Sequence, residues 1–227
     1  MTFSEKFHQN FIQDGRWTYL TDGLKSTIII TIFAVILGTL IGMLVAIVCS
    51  TYAKNGKLKV LNYICQIYLT VFRGTPVMVQ LLIMFYVIMA SSTNKLFVAI
   101  LTFGINSGAY VAEIMRSGIM SIDNGQFEAG RSLGFNYVQT MRFIIIPQAF
   151  KNVLPALMNE FITLLKETSV CGYIGLMDLT KGGDIIRSRT YEAFLPLMAV
   201  AIIYLIMVCG LSAVAKMVER RLRIGEN

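Results

Sequence analysis

The residues of this chain that could do chemistry are charged or amide side chains set inside apolar runs. Arg73-Gly74-Thr75-Pro76 interrupts a hydrophobic stretch running roughly from 60 to 90. Pro76 has no N–H to donate, which frees the carbonyl of Phe72, and Gly74 loosens the helix beside it. In a helix that crosses a bilayer, Arg73 would lie about 20 Å from the start of that stretch, near mid-depth. Two roles stay open for it. The cation and freed backbone could face an anionic group of a solute, or the break could be a kink whose arginine sits in an internal ion pair. Asn106-Ser107-Gly108 breaks a further apolar run at similar depth, and Glu113 lies nearer the end of that run. There a gate or packing role competes with binding. Downstream, Asn152, Asn159, Thr163 and Lys166 recur at helical spacing and share one face, with Glu160 and Glu167 flanking it. A polar stripe on a membrane helix should face a water-filled path or a partner helix. Glu160 is the better solute-binding candidate, while Lys166 and Glu167 line the path or pair with charges on other helices.

Enzymatic chemistry finds no comparable grouping. His8 is the single histidine, and no nucleophile–base constellation surrounds it. Cys49, Cys65, Cys171 and Cys209 sit in or beside apolar stretches and form no Cys-x-x-Cys pair, which reads as buried packing. No Gly-x-x-x-x-Gly-Lys-Ser/Thr phosphate loop is present, so the chain is not expected to bind ATP in that way.

The elements that must position these groups are membrane helices. The chain has 227 residues, 56% apolar and 15% charged, with mean hydropathy +0.66. A soluble domain carries about 25% charged residues. The charges gather between apolar blocks, as in a polytopic membrane protein. Spans are expected at about 24–51, 60–90, 96–115, 152–177 and 193–215. Segment 1–23 has no basic run followed by an apolar one, so no cleaved signal peptide is expected, and the first span should direct insertion itself. Residues 24–215 form one membrane domain, and 216–227 a tail. The Ser91–Lys95 stretch reads as a turn and 178–192 as a charged loop with Gly182-Gly183. Gly38-x-x-x-Gly42 allows close helix approach, more simply within the chain than between copies.

The net charge of +7 reads as loop charge rather than nucleic-acid binding. Lys54, Lys57, Lys59, Arg116, Arg131, Arg142, Lys151, Lys216, Arg220, Arg221 and Arg223 fall on one side of five spans. Lys6, Arg16, Lys25, Lys95, Lys181, Arg187 and Arg189 fall on the other. The larger group belongs in the cytoplasm. This puts the C-terminus inside and the N-terminus outside.

Between the third and fourth spans lies a polar hairpin, about 121–150. Asp123 with Gln126 resembles a capping box and starts a helix bearing Phe127, Glu128, Ala129, Gly130, Arg131 and Ser132. Gly134 can take the left-handed conformation that ends it. Asn136 with Gln139 repeats the pattern, and Pro147 should kink the chain where it returns to the membrane.

Glu128, Ala129, Gly134, Ile144 and Pro147 fall in the register of the EAA coupling loop of ABC-importer membrane subunits. Gly130 replaces its second Ala, and Ile146 its Leu. Phe72-Arg-Gly-Thr-Pro76, Asn106 to Glu113, Asn159 to Ser169, Ile174-Gly-Leu176 with Asp178-Leu179, and Ser188-Arg-Thr190 extend the likeness. From about Leu24 to Arg223 the chain resembles the polar-amino-acid permease family of type I ABC importers. That resemblance implies an all-α integral membrane fold with five core helices and a cytoplasmic coupling hairpin, in a bacterial inner or plasma membrane.

It also implies a second permease subunit (identical or homologous), two ATPase subunits carrying ATP-Mg, and an extracytoplasmic binding protein that delivers an amino acid. No cofactor is expected on this chain. The substrate would meet Arg73, Gly74, Thr75, Asn106, Ser107, Asn159, Glu160 and Thr163, with Glu113, Lys166 and Glu167 at a gate or pore lining. Phe127 to Arg131 and Gly134 would couple to the ATPase. The implied mechanism is alternating access. An ion-coupled secondary transporter would explain the buried charges but not the hairpin, and an ABC permease for another small solute is the nearer alternative.

Overall fold

The structure is a computed structural model that describes residues 2–223. The last four residues of the 216–227 tail, and the side chains of Lys54 and Arg223, lie outside the described residues. Every regular element among them is helical. In chain order these include α1 (Phe3–Phe7), α2 (Trp17–Asn55), α3 (Lys59–Gly74), α4 (Val77–Ile83) and α5 (Lys95–Met120). The hairpin helices α6 (Asn124–Ser132) and α7 (Tyr137–Thr140) follow, then α8 (Ile146–Glu167), α9 (Leu179–Thr190) and α10 (Phe194–Arg223).

Three of these, α2, α5 and α10, are long and apolar enough to cross a membrane. The pair α3 and 77–88 is apolar enough only when taken together, and it is bent by 109° at the Arg73–Pro76 break, as a broken span or a re-entrant loop is. The expected second span is therefore no continuous rod. Pro76 adopts extended backbone at φ −64°, ψ 135°, as does Thr75, so the helix stops and restarts. The 22-residue α8 is long enough to span, but its charges set it apart from the apolar helices.

α2 and α5 pack side by side in the same direction. Gly38 faces Ser107 and Gly104, and Gly42 faces Val111 and Ala112. A Cβ on Gly42 would lie 2.6 Å from Val111 Cγ1. The Gly-x-x-x-Gly motif thus serves packing inside the chain. α8 runs the other way, with Val153 against Gly118 and Glu160 against Ser107. Central packing comes from Ile30, Ala34, Leu81, Phe103 and Leu164. One end of the bundle is closed by Phe11, Leu20, Leu179, Ile186 and Val200. The other is closed by Ile122, Ile145 and Ala149 under the hairpin.

Several boundaries differ from the sequence expectation. α2 begins at Trp17, so a border at residue 23 falls inside a helix. Thr18, Thr21 and Asp22 lower the local hydropathy without breaking helical backbone. Residues 178–192 are not a loop, because 179–190 form α9, capped by Asp178. Its Leu179 and Ile186 share a buried face, while Gly182 and Gly183 let Tyr19 of α2 and Val200 of α10 approach. The 152–177 span ends earlier, since α8 gives way at Thr168 to a tighter helical turn through Ile174. Pro147 produces no simple kink. A wide π-type turn over Met141–Ile145 precedes it, with Ile146 N–H donating to Met141 carbonyl. Three cysteines are buried as expected, but Cys209 is exposed on α10.

Candidate functional site

The candidate solute residues separate into three groups. In the first, Ser107 on α5 is 1% exposed and its Oγ donates to Glu160 Oε1 at 2.8 Å. Glu160 on α8 is only partly buried. Asn159, Thr163 and Lys166 stand on an exposed face of the same helix, and Glu167 is partly buried one turn beyond Thr163. Asn152, at the hairpin end of the stripe, donates to Ser121 Oγ at 2.9 Å.

The second group seals the broken helix. Asn106 Nδ2 donates to the freed Phe72 carbonyl at 3.1 Å and to Gln80 Oε1 at 2.9 Å. Gln80 Nε2 in turn reaches the Phe72 and Thr75 carbonyls, each at 3.0 Å, and Thr75 Oγ1 at 2.8 Å. The backbone exposed by Pro76 is thus satisfied by protein amides. Asn106, 2% exposed, is occupied in this way rather than turned to an open space.

The third group is ionic. Arg73 Nη1 lies 3.5 Å from Glu113 Oε2, and Arg116 binds the same carboxylate from one turn along α5. Tyr110 lies under the Arg73 guanidinium at 5.9 Å. Glu113 borders two open cavities. One, of about 610 Å³, includes Cys49, Gln66, Arg73, Gly74 and Arg116. The other, of about 700 Å³, includes Ser117, Lys151, Asn152, Pro155 and Glu219. Arg73 thus joins an ion pair and also borders an open cavity, so the two roles open for it are compatible.

The hairpin is built by local chemistry. Asp123 Oδ1 accepts from Gly125 N–H at 2.6 Å and so caps α6. The reciprocal half of that box does not form, because Gln126 Oε1 accepts from Gln148 at 3.3 Å instead. At α7 the box is complete, with Gln139 N–H to Asn136 Oδ1 at 3.0 Å and Asn136 N–H to Gln139 Oε1 at 2.9 Å. Gly134 sits at φ +78°, and Phe135 N–H donates to Gly130 carbonyl at 3.0 Å. With Gly134 N–H to Arg131 carbonyl at 2.9 Å this is a Schellman end. Phe127 stacks on Tyr137 at 6.4 Å with the rings nearly parallel. Glu128, Ala129 and Arg131 face outward. Gly130 faces inward, where an added Cβ would lie 2.6 Å from Thr140 Cγ2. Its small size serves the hairpin's own packing.

Residues 38–224 match the family described as the binding-protein-dependent transport system inner membrane component. The chain belongs to this family. It is 39% identical over 207 residues to the putative glutamine transport system permease protein GlnP of Rickettsia typhi, covering 90% of this chain and 93% of that one. The arginine transport system permease protein ArtQ of Bacillus subtilis is 35% identical over 208 residues, with 90% and 93% covered. Among solved structures, an amino acid ABC transporter with histidines superposes with TM-score 0.84 at 41% identity, covering 90% of this chain and 94% of that one. The inward-facing MetNI methionine ABC transporter shares the fold, with TM-score 0.78 at 20% identity over 92% of this chain and 99% of that one.

This inner membrane component thus has the all-helical architecture of a type I ABC importer permease. Its α5 and α8 flank the hairpin directly. Gln80, Tyr110 and Arg116, none of them a solute or gate candidate from the sequence, join these groups. Gln80 carried a usable signal, being the sole amide in an otherwise apolar 77–88 segment.

Proposed function

We propose that this chain is the membrane subunit of an ATP-driven importer that moves a polar or charged amino acid into the cytoplasm by alternating access. The observation that carries the reading is the continuity of hairpin and path. α8 leaves the hairpin at Ile146 and reaches the Ser107–Glu160 contact about 21 Å later. α5 enters the hairpin from the same contact. A rigid displacement of the hairpin is therefore delivered to both sides of that contact. The names of the glutamine, arginine and cystine permeases among its relatives support an amino acid as cargo.

In this reading two ATPase subunits hold ATP-Mg and dock on the outward residues Glu128, Ala129 and Arg131. Phe127 and Gly134 fix the hairpin's shape. A second permease subunit, identical or homologous, faces the polar stripe Asn159, Thr163 and Lys166, which lipid would not solvate. Ser107 and Glu160 meet the solute where the two subunits' paths converge. Arg73, Gly74 and Thr75 form the broken wall beside it, held by Asn106. Glu113 with Arg73 and Arg116 closes the hairpin-side gate, and Lys166 and Glu167 line the opposite half of the pore. An extracytoplasmic binding protein docks near 91–95 and α9. The basic residues around the hairpin put it in the cytoplasm and the N-terminus outside.

The test is stimulation of ATP hydrolysis. The chain would be co-purified with its candidate ATPase and reconstituted with the loaded binding protein. Expected is stimulation that needs the amino acid-loaded binding protein and is lost in Glu128→Arg. An ATPase whose rate ignores both would refute the reading.

A further inference from the structure

The N-terminal arm before α2 is fixed by specific contacts to α9 and α10. Asn10 is fully buried. Its Nδ2 donates to the Lys6 carbonyl at 2.8 Å and to Glu192 Oε2 at 3.3 Å, and its Oδ1 accepts from Thr190 Oγ1 at 2.8 Å. Phe11 enters the cluster formed by Leu20, Leu179, Ile186 and Val200. Arg16 closes the following turn, its guanidinium donating to Asp14 Oδ2 at 2.8 Å and to the Gln9 carbonyl. The arm is thus pinned across the ends of α9 and α10.

That arrangement leaves one face bare. Phe3, Phe7 and Phe11 recur at helical spacing on one side of the arm. Phe7 packs on Phe11 with ring centroids 5.1 Å apart. Phe11 is buried, but Phe7 is 46% exposed and Phe3 70% exposed. Ser4, Glu5, His8, Gln9 and Gln13 line an open polar hollow on the arm. The apolar stripe therefore begins in the core and runs out onto the surface, with Lys6 beside it.

Depth decides what covers the stripe. Trp17 is the first residue of α2 and Phe194 the first of α10, and both stay largely exposed at the ends of membrane-spanning helices. A tryptophan at a span end, as Trp17 is here, marks the headgroup level. Phe11 and Leu20 share one cluster with Val200, two turns into α10. The arm therefore packs at the outer ends of both helices, within two turns of those rings. An amphipathic segment with its apolar face continuous with lipid-facing helix ends fits the membrane interface.

We propose that the arm is an interfacial anchor, lying in the headgroup layer of the leaflet opposite the hairpin with Phe3 and Phe7 seated among the lipid chains. Through Asn10 it ties the Thr190–Glu192 corner, between α9 and α10, to that surface.

Trp17 is the chain's one tryptophan, so with a tryptophan-free form of the partner ATPase fluorescence reads depth directly. The test uses full-length protein with its ATPase in liposomes whose phosphatidylcholine is brominated either near the headgroup or near the chain end. One sample is unaltered, and the other carries Phe7→Trp with Trp17→Phe. Expected is roughly two-fold stronger quenching of both probes by the shallow bromines than by the deep ones, with the residue 7 probe shielded from iodide. A residue 7 probe that neither bromolipid quenches overturns the proposal, whether water or protein surrounds it. So does stronger quenching by the deep bromines. The unaltered protein needs no substitution, and a Trp17 left bright by the shallow bromines contradicts the shared depth on which the anchor rests.

Discussion

Ser107 Oγ donates to Glu160 Oε1 at 2.8 Å, and each residue stands about 21 Å along its own helix from the hairpin. The contact is a polar link between the two helices that flank the hairpin, beyond their packing at Gly118–Val153 and Ser121–Asn152. Ser107→Ala removes the donor to a carboxylate, a loss of about 1–3 kcal/mol. Glu160→Gln keeps shape and removes charge. If Glu160 meets a cationic side chain of the cargo, Glu160→Gln should abolish uptake of lysine and arginine and spare neutral amino acids. Transport assays over both classes decide this, and equal loss for every amino acid would reject the charge role.

Arg73 and Glu113 form a partly exposed pair at 3.5 Å, so the contact adds only about 0–1 kcal/mol to stability. Its expected importance is in gating. Arg73→Met and Glu113→Gln should each lower uptake, and the double variant should be no worse than the stronger single one. Additive losses would mean that Arg73 acts on the solute directly, apart from Glu113.

Gly130 has no room for a side chain, because Thr140 occupies the space a methyl group would need. Thr140 cannot easily yield, since it is buried and its Oγ1 donates to the Asn136 carbonyl at 3.0 Å. Gly130→Ala should destabilise the hairpin by about 1–3 kcal/mol and reduce ATPase co-purification. Adding Thr140→Ala should restore it. Failure of that rescue would place the role of Gly130 outside the hairpin.

Asp178 lies outside the long spans and is fully buried at the start of α9, where Thr180 and Lys181 N–H groups cap it at 3.2 Å each. Burial pushes its carboxyl up to about 6 from 3.8, against the lowering pull of those bonds. A raised native value means the folded form holds the proton more tightly. Its stabilising contribution is complete below 3.8 and is lost as pH rises through about 6. Asp178→Asn keeps a capping oxygen and should flatten thermal stability across that window, with a gain above it. Asp184 behaves oppositely. Its bonds to Arg187 and then Lys181 hold its carboxyl below the usual range, so its contribution is lost only at lower pH. A melting profile of Asp178→Asn that tracks the parent protein through pH 6 would contradict the assignment.

The hairpin was legible in the sequence because its signals are local. Asn136 with Gln139 and Gly134 each act within a few residues, and the structure forms the bonds those types allow. Asp123 shows the limit, since its expected partner Gln126 is claimed by Gln148, a residue brought near by tertiary packing. α9 was hidden for a similar reason. Gly182-Gly183 reads as a loop signal, but here it lets two helices approach, which only the assembled bundle reveals. The solute candidates were found by type and depth, while their sorting into Ser107–Glu160, Asn106–Phe72 and Arg73–Glu113 depends on which helices touch. Gln80 was missed because its role exists only once the helix has broken at Pro76 and the freed carbonyls need donors.

The most direct measurement is ATP-dependent uptake of a panel of labelled amino acids into proteoliposomes. They would contain this chain, its candidate ATPase and its binding protein, beside a Glu128→Arg control. The expected result is accumulation of one class of polar or charged amino acid, requiring ATP and abolished in Glu128→Arg. Uptake driven by an ion gradient without ATP, or unchanged in Glu128→Arg, would contradict the account.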